Sequence, residues 1–136
     1  MKVFVSEGEN KRDGYHNCTL PELFNSVEDG EASVIECDDI FSSYKSEDIG
    51  ILISVAKKVK IGGELIVVEP DVVGLLLSWY LHNDSTLEQV NDRIFSNGSI
   101  NSVINVSHMT KLLEDNFDVS VNKFGGNIVI KGVRKS

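Results

Sequence analysis

Lys60-Ile61-Gly62-Gly63-Glu64-Leu65-Ile66-Val67-Val68-Glu69-Pro70-Asp71 is the stretch that decides the fold class. Upstream, Ile49, Leu52, Ile53, Ala56 and Val59 recur at helical spacing, which predicts an amphipathic helix over 47–60. Glu47 and Asp48 fall in its first turn and Lys57, Lys58 and Lys60 in its last, complementing the helix dipole at both ends. Gly62 or Gly63 can take the left-handed backbone that stops a helix, and Leu65–Val68 is a short apolar run suited to a buried strand. A helix that runs into a buried strand implies α/β architecture, with the helix packed on a parallel sheet.

The flanks extend the same reading. Lys2–Val5 reads as a strand, Ser6–Gly14 as a polar loop and Tyr15–Thr19 as a short second strand. Leu20–Phe24 suggests a turn of helix, Glu28-Asp29-Gly30 a turn, Ala32–Cys37 a third strand and Asp38–Ser46 a polar loop. Downstream, Asp71–His82 is apolar almost all round, which predicts a helix that is either deeply covered or offers a contact surface, with Asp71 as its cap. Asn83-Asp84-Ser85 marks a turn before a helix from Thr86 to about Phe95, and Ser96–Ile104 is rich in turn formers. Ser107–Asp115 reads as a helix capped by Ser107, with Asn116 at a left-handed C-terminal position. Phe117–Lys123 and Asn127–Val133 alternate well around Phe124-Gly125-Gly126-Asn127, an antiparallel hairpin. No linker divides the chain, so residues 1–136 are expected to form a single domain.

A chain of 136 residues that is 41% hydrophobic can bury a core. Its net charge of −8 argues against nucleic-acid partners, because nothing offers the basic stripe that phosphates require. Lys131, Arg134 and Lys135 read as a solvated basic end. The longest apolar run, around Val72–Leu81, is too short to span a bilayer, so no membrane partner is expected. The start reads as a strand and not a signal peptide, which makes the cytoplasm the expected location. Cys18 and Cys37 have no CxxC pairing and no nearby histidine, so the expectation is two reduced structural thiols and no metal site.

A helix, K-x-G-G, a hydrophobic strand ending in Pro-Asp and a closing hairpin together resemble the class I S-adenosylmethionine-dependent methyltransferases, closest to the small type 11 kind. The resemblance covers nearly the whole chain. It implies a Rossmann-like α/β fold, mostly parallel, with helices on both faces and an antiparallel C-terminal hairpin. Lys2–Gly8 stands where the family has its first strand and G-x-G, and Asp13–Thr19 where it has G-[YW]-x-N-x-D. Asp29–Ile35 resembles the turn and strand that follow, and Ser107–Phe117 the late helix before the hairpin. The implied cofactor, S-adenosylmethionine, would lie across Ser6, Glu7 and Gly8, near Cys18 and Thr19 and against Asp38, beside a small-molecule or protein methyl acceptor.

This chain departs from the family at those positions. Ser6 replaces the first glycine of a loop whose glycines let backbone approach the ligand. Thr19 replaces the acid that would hold ribose hydroxyls, and Ser42-Ser43 stands where Glu-His is frequent. Two functions follow from the resemblance: a small methyltransferase, or a methyltransferase-like domain that does not catalyse and works as a binding or assembly module. In the first, Gly8→Val should occlude the cofactor loop. In the second, Phe41 or Tyr44 should fill the cleft.

Methyl transfer runs largely by alignment in a dry pocket, so the lack of an obvious base does not argue against it. Asp38 and Asp39 fall at the C-terminal edge of the third strand, where open α/β sheets bind ligands, and can position a substrate, accept a proton or simply cap the next turn. His108 is an acid–base candidate or a surface residue at a helix start. Glu7 would repel a ligand carboxylate and attract an ammonium or sulfonium, while Lys11 and Arg12 either belong to a plain solvated loop or offer cations to an anionic ligand. Glu69 and Asp71 flank Pro70 on the same edge. Trp79-Tyr80 with Leu75–Leu77 suits a pocket lining, core packing or the face of a homodimer.

Overall fold

The computed structural model describes residues 1–41, 50–82, 86, 88–89 and 106–136, without the side chains of Ser78 and His82. In chain order the elements are β1 (Lys2–Ser6), β2 (His16–Cys18), α1 (Leu20–Ser26), β3 (Ala32–Asp38) and α2 (Gly50–Lys58). They continue with β4 (Val59–Pro70), α3 (Val72–His82), α4 (Val106–Glu114), β5 (Phe117–Phe124) and β6 (Asn127–Arg134). The six strands form one sheet in the order β2-β1-β3-β4-β6-β5. The first four strands of that order are mutually parallel, and β6 runs antiparallel to both β4 and β5. The α/β order and the closing hairpin expected from the sequence are both present. Gly125 and Gly126 at its tip have φ of 58° and 81°, the double left-handed turn that matches strand twist.

The glycine pair has a different role from the expected one. Helix α2 stops at Lys58, and Gly62 and Gly63 lie inside β4. Ala32 of β3 pairs with Val59, yet Val34 pairs with Glu64, so β4 carries extra residues between two points of the ladder. Gly62 takes φ 84° to absorb them. A Cβ on Gly63 would stand 2.8 Å from the Ser33 carbonyl oxygen and 3.0 Å from that of Lys60, so only glycine fits where the bulge presses back on β3. Two other expected ends also shift. Ser107 lies inside α4, which begins at Val106, and Asp39, not Asn116, is the described non-glycine residue with positive φ. The expected helix over 86–95 falls largely outside the described residues.

Strand alternation separates the two sheet faces. Val3, Val5, Ile35, Cys37, Leu65, Val67, Ile128 and Ile130 share one face and form a continuous buried core with Leu20 and Leu23 of α1, Leu52 and Val55 of α2, and Met109 and Leu113 of α4. Those three helices therefore cover that face. Helix α3 forms its own small cluster, with Leu75 and Trp79 packed on Val72. On the opposite face, Phe4 and Glu36 are covered by the loop joining β1 to β2: the Arg12 guanidinium lies 5.5 Å from the Phe4 ring centre and 5.6 Å from that of Tyr15.

Cys18 and Cys37 both pair with Val5, one from each side. Two strand spacings put their Cα atoms roughly 9–10 Å apart, beyond disulfide reach. Both are free, buried thiols, as expected. Lys131 and Lys135 of the basic end are exposed, as expected, and meet Glu64 at 3.5 Å and Asp118 at 3.7 Å, whereas Arg134 is half-buried and donates to the carbonyls of Lys57 and Val59. Arg134 thereby fastens the last strand to the end of α2.

Candidate functional site

Ligands of open parallel sheets bind at the carboxyl ends of the strands. Here that edge is built by Ser6 at the end of β1, Asp38 at the end of β3 and the segments leaving them. Ser6 and Asp38 are cross-strand partners, so their side chains stand side by side on the face that also carries Phe4 and Glu36. Ser6 is 7% exposed, and its hydroxyl oxygen accepts the Gly8 N–H at 3.1 Å, turning the chain sharply as it leaves the strand.

Residues 7–15 then return to β2 with no helix. Parallel strands are ordinarily joined by a dozen or more residues including one. The loop is held by side chains in its place. The Asn17 amide donates to the carbonyls of Arg12 and Tyr15 at 3.1 and 2.9 Å, and its oxygen accepts the Arg12 N–H at 2.7 Å. Arg12 Nη1 reaches Glu36 Oε2 at 2.6 Å. Burial pushes the Glu36 carboxyl above its ordinary range, Arg12 opposes that shift and Asp38 adds to it. The guanidinium that was one candidate for an anionic ligand is thus paired with an internal carboxylate.

The glycine expected to admit a cofactor does not do so by necessity. A Cβ on Gly8 would meet only Ser6 Oγ, at 3.9 Å, an ordinary contact, so no protein atom requires glycine there and the space above Gly8 is open. Thr19, where the family has its ribose-binding acid, is the N-cap of α1 in a capping box, its N–H donating to Glu22 Oε2 at 3.2 Å. Cys18, one residue earlier, pairs with Val5 and sits in the core on the face opposite Ser6 and Asp38. Burial and the Glu22 charge push its thiol up to about 11.

Asp39 follows Asp38 with φ 54°, its N–H donating to the Val68 carbonyl at 2.9 Å, and this left-handed step turns the chain off the sheet. Burial, then the neighbouring Asp38, raises its carboxyl above the ordinary range. Ile40 and Phe41 plunge into the core, where the Phe41 N–H donates to Glu69 Oε1 at 2.7 Å. Glu69 is fully buried near the end of β4. Phe41 therefore packs in the hydrophobic core, which does not test whether it fills a cofactor cleft, while Tyr44 and Ser42-Ser43 lie outside the described residues. Asp71 caps α3 as expected, accepting the Gly74 N–H at 2.9 Å, and it also meets Lys123 Nζ at 3.3 Å. His108 is exposed on α4, the helix that packs on β5 at the far edge of the sheet, so the fold does not bring it to Ser6 and Asp38.

Sequence reasoning missed two carboxylates as structural groups, Glu36 and Glu69. Their signal was legible: each is a charge inside an apolar strand run, and buried charges need partners. Ser6, Glu7, Asp38 and Asp39 make a rim of oxygen acceptors, suited to hydroxyl or ammonium groups and unfavourable to phosphate. Among the described residues, no three His, Cys, Asp or Glu side chains could hold a metal ion. Two described cavities lie at the other end of the sheet. One of about 550 Å³ is lined by Asp29, Gly30, Lys57, Ile61 and Arg134, and one of about 210 Å³ lies between α2 and α4.

No protein family and no curated protein matches the sequence. Solved structures do. A Pyrococcus horikoshii protein superposes with a TM-score of 0.60 at 14% identity, covering 98% of this chain and 74% of its own. An O-methyltransferase family protein from Burkholderia thailandensis gives 0.57 at 14% identity, covering 90% of this chain. This chain spans 36% of the length of that protein. A chain from a Haloferax volcanii complex containing a methyltransferase activator gives 0.57 at 11% identity, covering 99% of this chain and 72% of its own. The chain has the class I S-adenosylmethionine-dependent methyltransferase fold. At its sheet edge Ser6 and Asp38 stand side by side, Gly8 has open space above it, and Thr19 stands where the resemblance implies an acid, so the residues present match that cofactor's needs only in part.

Proposed function

We propose that this chain is a methyltransferase-fold domain that works as a binding or assembly module and not by transferring methyl groups. The commitment of Thr19 carries this reading. Thr19 stands at the N-cap of α1 with its N–H donating to Glu22 Oε2, and threonine offers one hydroxyl where two charge-assisted hydrogen bonds are needed. The loop of residues 7–15 adds to it. Residues 7–15 hold no helix, so β1 is not followed by the helix N-terminus that could meet the cofactor's carboxylate. Glu7 adds a like charge there.

The second reading, a small S-adenosylmethionine-dependent methyltransferase of unknown acceptor, is favoured by one observation. Ser6 and Asp38 stand together at the carboxyl end of adjacent parallel strands, where a nucleoside hydroxyl can be held. Titration calorimetry and thermal unfolding with S-adenosylmethionine and S-adenosylhomocysteine separate the two. The module reading expects no heat and no thermal shift at millimolar ligand. Micromolar affinity overturns it in favour of the enzyme.

A further inference from the structure

Helix α3 carries two apolar stripes, and the fold uses one. Val72, Leu75 and Trp79 pack together on the inner side. Val73, Leu76, Leu77, Tyr80 and Leu81 recur at i, i+3, i+4, i+7 and i+8 along the outer side and are 41–78% exposed. Phe124, 81% exposed, is close by, because its hairpin is fastened to the start of α3 through the Gly126 carbonyl, which accepts the Asp71 N–H at 2.9 Å, and through the Lys123–Asp71 ion pair. These side chains expose on the order of 500 Å² of apolar surface, the size of the largest patch a monomer ordinarily shows and one that is often functional.

We propose that this stripe is a two-fold homodimer interface, with α3 of one copy packed antiparallel on α3 of the other. Three observations select a second copy as the occupant. Val72–Leu81 contains no charged residue, so a partner recognised by charge would have nothing to pair with. An apolar stripe without charges is self-complementary under a two-fold axis, where each residue meets its mirror position. Antiparallel packing centred on Leu77 sets Val73 of one copy against Leu81 of the other and Leu77 against its own counterpart, with Leu76 and Tyr80 flanking them. The area also suffices: two copies would bury about 1,000 Å² in all, the lower bound for a specific interface. A membrane surface fits poorly, since interfacial helices carry Lys or Arg on their polar side and this helix has none in a chain of net charge −8. The proposal does not depend on whether the Ser6–Asp38 edge binds a cofactor.

The test is sedimentation equilibrium of the whole chain across a range of micromolar concentrations, alongside Leu77→Glu and a Phe24→Asp control on α1. The wild type and the control should sediment as dimers. Leu77→Glu should sediment as a monomer, at least tenfold weaker in self-association, with an unchanged circular dichroism spectrum. A separate Leu77→Cys chain should form an intermolecular disulfide under mild oxidation, because the two-fold axis brings the new thiols together while Cys18 and Cys37 stay buried. A wild type that stays monomeric at about 100 μM overturns the proposal, as does a dimer that survives Leu77→Glu. A monomer that co-sediments with lipid vesicles overturns it in favour of a membrane surface.

Discussion

Arg12 Nη1 lies 2.6 Å from Glu36 Oε2, joining a loop residue whose side chain is 49% exposed to a strand carboxylate that is 9% exposed. This contact fastens residues 7–15 to the sheet face where a crossover helix would otherwise pack. Arg12→Ala leaves the Glu36 charge buried without its cation, and half-exposure of the guanidinium limits the loss to about 2 kcal/mol. Glu36→Gln should cost less in the Arg12→Ala background than in the wild type. Urea denaturation of the four proteins in a double-mutant cycle measures both effects.

Glu36 and Asp39 both titrate above their ordinary range, in each case chiefly because burial disfavours the charge. A folded-state acid that holds its proton more tightly than the unfolded chain contributes stability below the unfolded value. That contribution is lost as pH rises through the ordinary carboxylate range towards the raised one. Glu36→Gln removes one of the two groups. The difference in urea midpoint between about pH 4 and about pH 7 should therefore shift towards greater relative stability at neutral pH in Glu36→Gln than in the wild type. An identical difference in both proteins would remove Glu36 from the account.

Gly63 and Gly8 should respond oppositely to the same substitution. A methyl group on Gly63 meets the Ser33 and Lys60 carbonyl oxygens and the Val59 side chain, all at 3.0 Å or less, and backbone cannot step aside cheaply. Gly63→Ala should cost about 2–3 kcal/mol. Gly8→Ala, with only Ser6 Oγ at 3.9 Å, should stay within about 0.5 kcal/mol. Thermal unfolding of the two variants beside the wild type settles the contrast.

The thiols should be inert. Burial raises both, Cys18 to about 11 and Cys37 further, its shift enlarged by the Glu69 charge. The thiolate is the reactive form, so neither should react with a disulfide reagent at about pH 8 while the chain is folded. Both should react at once in strong urea. A reducing agent should leave the unfolding midpoint where it is.

The strand that runs into Pro70-Asp71 was readable because Leu65, Ile66, Val67 and Val68 are buried by type, with no partner needed to identify them. The hairpin was readable because two consecutive glycines between alternating strands admit few turns. Asp71 as a cap was readable from one residue and its position. What could not be read was register. That Gly62 and Gly63 serve a bulge depends on Ala32 and Val34 lying across from Val59 and Glu64, a relation between residues some thirty positions apart. The surroundings of the sheet edge were hidden for the same reason. Whether Thr19 faces a ligand or caps a helix depends on Glu22 three residues on, and S/T-x-x-E was present in the sequence as a capping signal. Arg12 looked available because Glu36, its partner, sits two strands away in sequence order and next door in space.

Strand β6 lies between β4 and β5, and its residue Ile130 sits across from Val67. A ribosome delivers these in sequence, so Leu65–Val68 emerges long before the strand that will cover its open side. Until then, one flank of β4 is a hydrophobic template with free hydrogen-bonding groups, the form most apt to pair with a neighbouring nascent chain. Expression of this protein should consequently be limited by events in the interval between those two strands. Slower elongation or low temperature, which changes the odds of wrong pairing without touching the finished molecule, should raise its soluble yield.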